Sequence, residues 1–198
     1  TLGLTKSGAG TLTLAGASAN TFTGPTAVTG GILAIANKDA LNSTSGITVG
    51  LSNASTTSLR IDVPDATSTT IGSGKSVTIR GLGSANFGAL LGKDATSVTW
   101  AGGVVIGDLT GARIGGGDSG TLTVDGVISE ASPGSAVLFS RAPNTTTILN
   151  KVNTYTGDTG MYANTSSVTL KMGIANAISS SSRVWASTGA AIGTETFD

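Results

Sequence analysis

A short pattern that occurs twice, far apart in the chain, limits most strongly how the chain can fold. Residues 20–26 read NTFTGPT and residues 153–159 read NTYTGDT. Downstream, residues 35–41 and 172–178 share a pattern of small and amide side chains, and a serine-rich stretch follows each. A closed barrel or sandwich has no reason to repeat in this way, whereas a solenoid buries each repeat against its neighbours. The repeat therefore predicts a solenoid.

Short alternations of apolar and polar residues predict that this solenoid is built from β-strands. They occur at residues 12–14, 32–35, 47–49, 59–63, 77–79, 98–100, 104–106, 122–124, 137–139, 148–149, 168–172 and 184–185. Gly, Asn, Asp or Ser follows them, as turns require. Helical spacing is nearly absent, and residues 37–41 could form at most one turn of helix. We expect the core to contain Leu12, Leu14, Ile32 or Leu33 with Ile35, Leu59, Ile61, Val63, Val168, Leu170 and Met172.

The composition excludes several functional classes. Only 11% of the residues are charged and the formal net charge is +0, so no basic surface for nucleic acid is predicted. The chain has no histidine and no cysteine, which removes the commonest general base and every thiolate ligand or nucleophile. No apolar run approaches the length of about 20 residues that a membrane span needs. We therefore predict no catalytic residue, no metal site, no cofactor and no insertion into a membrane.

The first 35 residues resemble a known repeat. Residues 4–14 read LTKSGAGTLTL, residues 19–24 read ANTFTG, and Val28, Gly31 and Leu33 follow at the spacing VxxGxL. This is similar to the autotransporter passenger-associated repeat, which reads like LTKxGxGTLTLxGxNTYTGxTxVxxGxL. The similarity covers residues 4 to 35. We assign a first copy to about residues 4–45 and a degraded second copy, which lacks the LTKxGxGTLTL part, to about residues 120–182.

The resemblance implies a right-handed parallel β-helix that is exported and displayed outside a bacterial cell, where the repeat assists export and folding of a long passenger. At about 20 to 25 residues per coil, the chain would form about eight to ten coils. The chain starts within the motif, at Thr1, and stops at Asp198 without a polar or helical cap. We therefore expect one β-helix segment, 1–198, whose ends stack on the rest of a longer chain or on neighbouring copies.

Five residues are candidates for binding. Asp108 and Asp118 lie near Arg113 in the sequence, together with Asp125, and this is the grouping most like that of a polysaccharide lyase or hydrolase. Further carboxylates are Asp62, Asp65 and Glu130, although acidic residues occur more often in turns. Trp100 and Trp185 could stack on sugars, although packing is the commoner role of such rings.

Three functions from different classes fit these features. The favoured one is a non-catalytic structural or adhesive segment outside the cell or on its surface, with surface glycans as a further partner. A virion fibre or tailspike that binds or cuts host polysaccharide would share the β-helix. A self-assembling filament or surface-layer subunit would explain the uncapped ends.

Overall fold

The structure, a computed structural model, describes residues 1–63, 69–139, 141–163, 166–180, 182–188 and 195–197. Within these ranges all regular structure is β-strand, so the prediction of little or no helix is confirmed. No helix long and apolar enough to cross a membrane is found in the described part of the chain. The strands are β1 (Leu4–Lys6), β2 (Thr11–Leu14), β3 (Thr26–Val28), β4 (Ile32–Ile35), β5 (Ile47–Val49), β6 (Ser58–Ile61), β7 (Thr69–Ile71), β8 (Ser76–Ile79), β9 (Leu90–Gly92), β10 (Ser97–Trp100), β11 (Gly103–Ile106), β12 (Ala112–Gly115), β13 (Thr121–Val124), β14 (Ile128–Glu130), β15 (Val137–Phe139), β16 (Thr145–Leu149), β17 (Thr159–Ala163), β18 (Val168–Met172), β19 (Val184–Thr188) and β20 (Glu195–Phe197).

The strands form three parallel sheets that run along a solenoid. Sheet I has the order β1-β3-β5-β8-β11-β14, sheet II the order β2-β4-β6-β9-β12-β15-β17-β19, and sheet III the order β7-β10-β13-β16-β18-β20. In each central coil the chain passes from sheet I to sheet II to sheet III, as in β11, β12 and β13. The solenoid has about 7 turns, fewer than the number expected from the sequence. The reason is that loops 50–57 and 81–88 lengthen the coils on which they lie.

Side chains that point inward form continuous apolar columns because equivalent residues of successive coils are register partners. One column of sheet II contains Leu33, Leu59, Leu90, Ile114 and Phe139. The corresponding column of sheet III contains Ile71, Trp100, Val124 and Leu149. These side chains are no more than 2% exposed. The alternation seen in the sequence, as in Ile47-Thr48-Val49, is the alternation of core and surface positions on these strands.

Two of the expected core residues are not in the core. Leu12 is 36% exposed and Met172 is 41% exposed. Leu12 lies on β2, which is the outermost strand of sheet II and packs against β4 on one side only. Met172 ends β18, where no described strand of sheet I closes the coil beneath it. Both residues fit the alternating strand pattern, but among the described residues no further strand covers them.

One face of the solenoid has no assigned strand near each end of the described chain. In the first coils, β2 leads directly to β3, so no strand is added to sheet III. In the last coils, β16 leads to β17, so no strand is added to sheet I. The two NT(F/Y)TG segments, residues 20–24 and 153–157, occupy these two places. We call them the first and second motif segments.

Candidate functional site

The turn after β1 is organised around a buried lysine. The Lys6 ammonium donates to the carbonyl oxygens of Ser7 (2.8 Å), Gly8 (2.7 Å) and Gly30 (2.8 Å), and the residue is only 7% exposed. Gly8 belongs to the first coil and Gly30 to the second, so one side chain joins the turns of two coils. Charge-assisted bonds of this kind are stronger than neutral ones.

Gly31 completes this turn and cannot be replaced without strain. Its φ of 65° lies in the left-handed region, which glycine adopts readily. A Cβ at this position would lie 2.3 Å from the Gly10 carbonyl oxygen and 2.5 Å from that of Gly8. The LTK part of the repeat (residues 4–6) and its VxxGxL part (residues 28–33) therefore meet in one turn that joins two coils.

Each motif segment is tied to the next coil by its asparagine. Asn20 donates its side-chain amide to the Ala40 carbonyl oxygen at 3.0 Å, and Asn153 donates to that of Ala177 at 2.7 Å. Ala40 and Ala177 are 1% and 0% exposed. Asn153 also accepts a hydrogen bond from the Ile128 backbone N–H at 2.7 Å, so it links three successive coils.

The hydroxyl and glycine positions of the two segments also correspond. Thr26 shares a hydrogen bond of 3.0 Å with Thr44, and Thr159 shares one of 2.6 Å with Ser182, in both cases with a hydroxyl of the next coil. A Cβ on Gly24 or Gly157 would lie 2.7 or 2.4 Å from backbone atoms of the preceding coil. The same contacts therefore occur at both places.

The aromatic residue of each segment packs inward. Phe22 is partly buried against the core, whereas Tyr155 is 0% exposed and shares a hydrogen bond of 2.6 Å with the Thr159 hydroxyl. Burial raises the pKa of Tyr155 above its ordinary value, against the opposing effect of its bonds to Thr159 and Ser182. These rings fill the space beneath a face that carries no strand.

The two motif segments lie on different faces of the solenoid. Residues 20–24 connect sheet II to sheet I and take the place of a sheet III strand, whereas residues 153–157 connect sheet III to sheet II and take the place of a sheet I strand. The motif is therefore a local way to close a coil without a strand, and it is independent of the face on which it occurs.

The carboxylates that most resembled a catalytic group do not meet. Asp108 lies between β11 and β12, Asp118 between β12 and β13, and Asp125 between β13 and β14. They occupy three different corners of one coil, with a strand between each pair. A glycosidase pair needs carboxyl groups about 5 to 10 Å apart facing one bond, whereas the four-residue strand β12 alone spans about 13 Å.

Two of these carboxylates, Asp108 and Asp118, have local structural roles. Asp108 accepts hydrogen bonds from the backbone N–H of Asn53 (3.2 Å) and from Thr110. Asp118 is exposed, accepts a hydrogen bond from the Ser119 hydroxyl at 3.0 Å, and donates its own backbone N–H to Asp94 at 2.9 Å. These contacts fix turns, which is the common use of aspartate outside helices and strands.

The remaining carboxylate candidates that the structure describes, Asp62 and Glu130, have partners of their own. Asp62 forms a two-point ion pair with Arg60, with both N···O distances 2.6 Å. Asp65 lies outside the described residues. Burial alone would raise the pKa of Glu130, but hydrogen bonds from Thr156, Ser135 and Gly134 outweigh that effect and hold the pKa below its usual value. No group of three or more metal-ligating side chains was found among the described residues.

Trp100 was wrongly included among the candidate binding residues. It is 0% exposed, lies in the core column of sheet III, and its ring packs against Gly72. No ligand can reach a ring in that position. Trp185 differs, because it is half-exposed on the outer face of sheet II, in register with Gly160.

Arg113 lies on the same outer face as Trp185. The register of sheet II places Arg113, Leu138, Gly160 and Trp185 side by side on successive strands. The structure adds Arg141 and Tyr162, which the sequence reading missed, with the Arg141 guanidinium 5.0 Å from the centre of the Tyr162 ring. No sequence signal marks these two residues, because the strand register that brings them to Arg113 depends on coil length.

A cavity of about 390 Å³ lies beside the second motif segment. It is lined by Val152, Asn153, Asn176, Ile178, Ser179 and Ser180. None of these side chains titrates near neutral pH, and Asn153 is already engaged by two coils. The lining residues therefore include no general base that could activate the two serine hydroxyls.

Residues 4–35 match the family model of the passenger-associated-transport-repeat. No curated protein and no solved structure matches the chain. The matched residues are those of β1 to β4, the Lys6 turn and the first motif segment. This match and the solenoid of parallel sheets confirm the resemblance of residues 4–35 to a β-helix repeat of autotransporter passengers, a family associated with secretion or the cell surface.

Proposed function

We propose that this chain is a structural and adhesive segment of a secreted or surface-displayed bacterial passenger, held outside the cell, and that it has no catalytic activity. The observation that carries the proposal is the match of residues 4–35 to the transport repeat, on a solenoid whose inter-coil turn depends on Lys6 and Gly31. The separation of Asp108, Asp118 and Asp125 onto three corners supports a non-catalytic role.

The proposal includes the organisation of the chain. The corresponding contacts of the two motif segments support two repeat copies, at about residues 4–45 and 120–182, within one solenoid segment. The outermost strands β1, β2, β19 and β20 each pair on one side only among the described residues. Further coils, or other copies of the chain, are the partners that such strand edges would accept.

Export is the property to test. The chain would be placed between a signal peptide and an autotransporter membrane barrel in a Gram-negative host, and surface display would be measured with an antibody on intact cells. We expect Lys6→Met to reduce display about threefold or more, because three turn carbonyl groups lose the buried ammonium that joins them and the first coils become less stable.

Lys38→Met is the matched control. The Lys38 side chain is 62% exposed and bonds to the neighbouring Asp39, so its loss should leave display unchanged. Equal display of the Lys6 variant, the Lys38 variant and the parent chain would count against the assigned role of the repeat. Cleavage of a glycan that Asp118→Ala abolishes would refute the absence of catalysis.

A further inference from the structure

The outer face of sheet II contains an arginine that is buried but not neutralised. Arg113 is 6% exposed, and its Nη1 donates to the backbone carbonyl of Asn86. Its Nε is buried without any hydrogen-bond partner. No ion pair involves Arg113 among the residues that the structure describes. Such a group is costly to bury unless something pairs with it.

The unused edge of this guanidinium is the edge that binds carboxylates. Arg60 shows the arrangement within the same chain, since its Nε and Nη2 each donate to one oxygen of Asp62 at 2.6 Å. In Arg113 the Asn86 carbonyl accepts from Nη1, whereas the covered Nε, which lies on the side of Nη2, has no acceptor. Planar two-point recognition of a carboxylate is what this edge does best.

A second guanidinium adds positive charge at the same place. Burial, and then the nearby charge of Arg141, lower the pKa of Arg113 to about 10. Arg141 is half-exposed and lies over the Tyr162 ring. Two neighbouring cations without a carboxylate between them repel each other, and a bound anion would remove that repulsion.

An apolar and aromatic surface continues from the two arginines. Gly160 carries no side chain, so the Trp185 ring can pack against it, with ring atom Cζ2 2.4 Å from the position that a Cβ would occupy. The Leu138 Cδ2 lies 2.8 Å from the same position. Three strand spacings separate Arg113 from Trp185, about 14 Å, which is the length of a short oligosaccharide.

We propose that this face binds an acidic oligosaccharide, with the carboxylate of a uronic acid held by Arg113 and Arg141 and a sugar ring stacked on Trp185. A flat, partly exposed indole ring suits the apolar face of a pyranose better than it suits an extended acidic peptide. Because Nε is covered in this structure, the ligand must displace a side chain as it enters. The proposal rests on the adhesive part of the proposed function and is independent of export.

The test observes the arginine side chains directly, by nuclear magnetic resonance. The ¹⁵N-labelled chain would be titrated with trigalacturonic acid, and the Nε–Hε signals of its five arginines would be observed. We expect a saturable shift of the Arg113 signal, and none of the Arg60 signal, which is already paired with Asp62. The trimethyl ester of the same trisaccharide should produce no shift.

Variants separate binding from folding. Arg141→Gln and Arg113→Gln should each weaken binding about tenfold or more, since each removes a charge-assisted contact. Arg80→Gln is the matched control, because it removes one positive charge just after the sheet I strand β8, where the Arg80 Nε donates to the Gly107 carbonyl. It should bind like the parent.

Several results would overturn the proposal. One is the absence of an Arg113 shift at about 10 mM trisaccharide, because a specific site would have a much lower dissociation constant than that concentration. Another is an equal response to the ester. Equal affinity of the Arg141 and Arg80 variants would do the same. Tighter binding of hexaglutamate than of the trisaccharide would assign the surface to an acidic protein instead. Because surface display is measured separately, a negative result here leaves the export proposal standing.

Discussion

Replacing Trp100 by alanine is expected to lower the free energy of unfolding by about 3–5 kcal/mol, the range for large aromatic side chains removed from a core. The ring is 0% exposed and packs against Gly72 of the preceding coil. Its truncation opens a void between sheet III strands that cannot collapse, because the ladder spacing fixes the distance between coils. Equilibrium unfolding in urea, followed by circular dichroism, measures the loss.

Trp185→Ala is the control for this prediction. The same atoms are removed, but from a half-exposed ring on the outer face of sheet II, so we expect a loss of about 1 kcal/mol or less. Similar losses for both variants would contradict the assignment of Trp100 to the core.

Replacing Asn153 by alanine is the second large expected effect. The side chain is 4% exposed and satisfies both the Ile128 N–H and the Ala177 carbonyl, each at 2.7 Å. Leaving a buried polar group without a partner costs about 1–3 kcal/mol, so the loss of both contacts should cost about 2–5 kcal/mol. The urea midpoint of the variant, compared with that of the parent, gives the value.

Asn20→Ala tests the same motif position where fewer bonds depend on it. Asn20 is half-buried and has one hydrogen bond, of 3.0 Å to Ala40, so we expect a loss of about 1 kcal/mol. A larger effect at Asn20 than at Asn153 would show that the two motif segments do not work as described. Amide hydrogen exchange at Ile128 would locate the effect, since its N–H loses its acceptor only in the Asn153 variant.

The sequence predicted the fold class because inward and outward positions alternate on most strands. The alternating runs at residues 47–49, 77–79 and 104–106 all lie on sheet I strands, as β5, β8 and β11. Strands without alternation were missed. In β12 all four residues are buried, because neighbouring chain covers its outer face as well as its inner one. An alternating pattern cannot arise where both faces are covered.

The repeat was visible in the sequence, but its place on the solenoid was not. Asn20 and Asn153 align as letters, yet their segments replace strands of different sheets. Coil length decides which face a residue occupies, and insertions such as residues 81–88 change it without altering any motif. The residues Asp108, Asp118 and Asp125 are close in sequence, but they lie at three corners of one coil, and Arg113 lies on the strand β12 between the first two.

The candidate ligand surface depends most on information that the sequence lacks. Arg113 and Trp185 were named, but nothing in the sequence joins them to each other or to Arg141 and Tyr162. Their proximity follows from the pairing of β12 with β15, β15 with β17, and β17 with β19. Only a known register reveals that Gly160 leaves room for an indole ring.

Distances between coils test the central claim, a solenoid of successive parallel coils, most directly. Thr5, Ala27, Thr48, Thr78, Val105 and Ser129 are register partners along sheet I. The chain has no cysteine, so spin labels can be attached to cysteine pairs at Thr5 with Val105 and at Thr5 with Ser129. Double electron–electron resonance should give about 19 Å for the first pair and about 24 Å for the second, one strand spacing more. Equal distances, or a second distance shorter than the first, would contradict the solenoid.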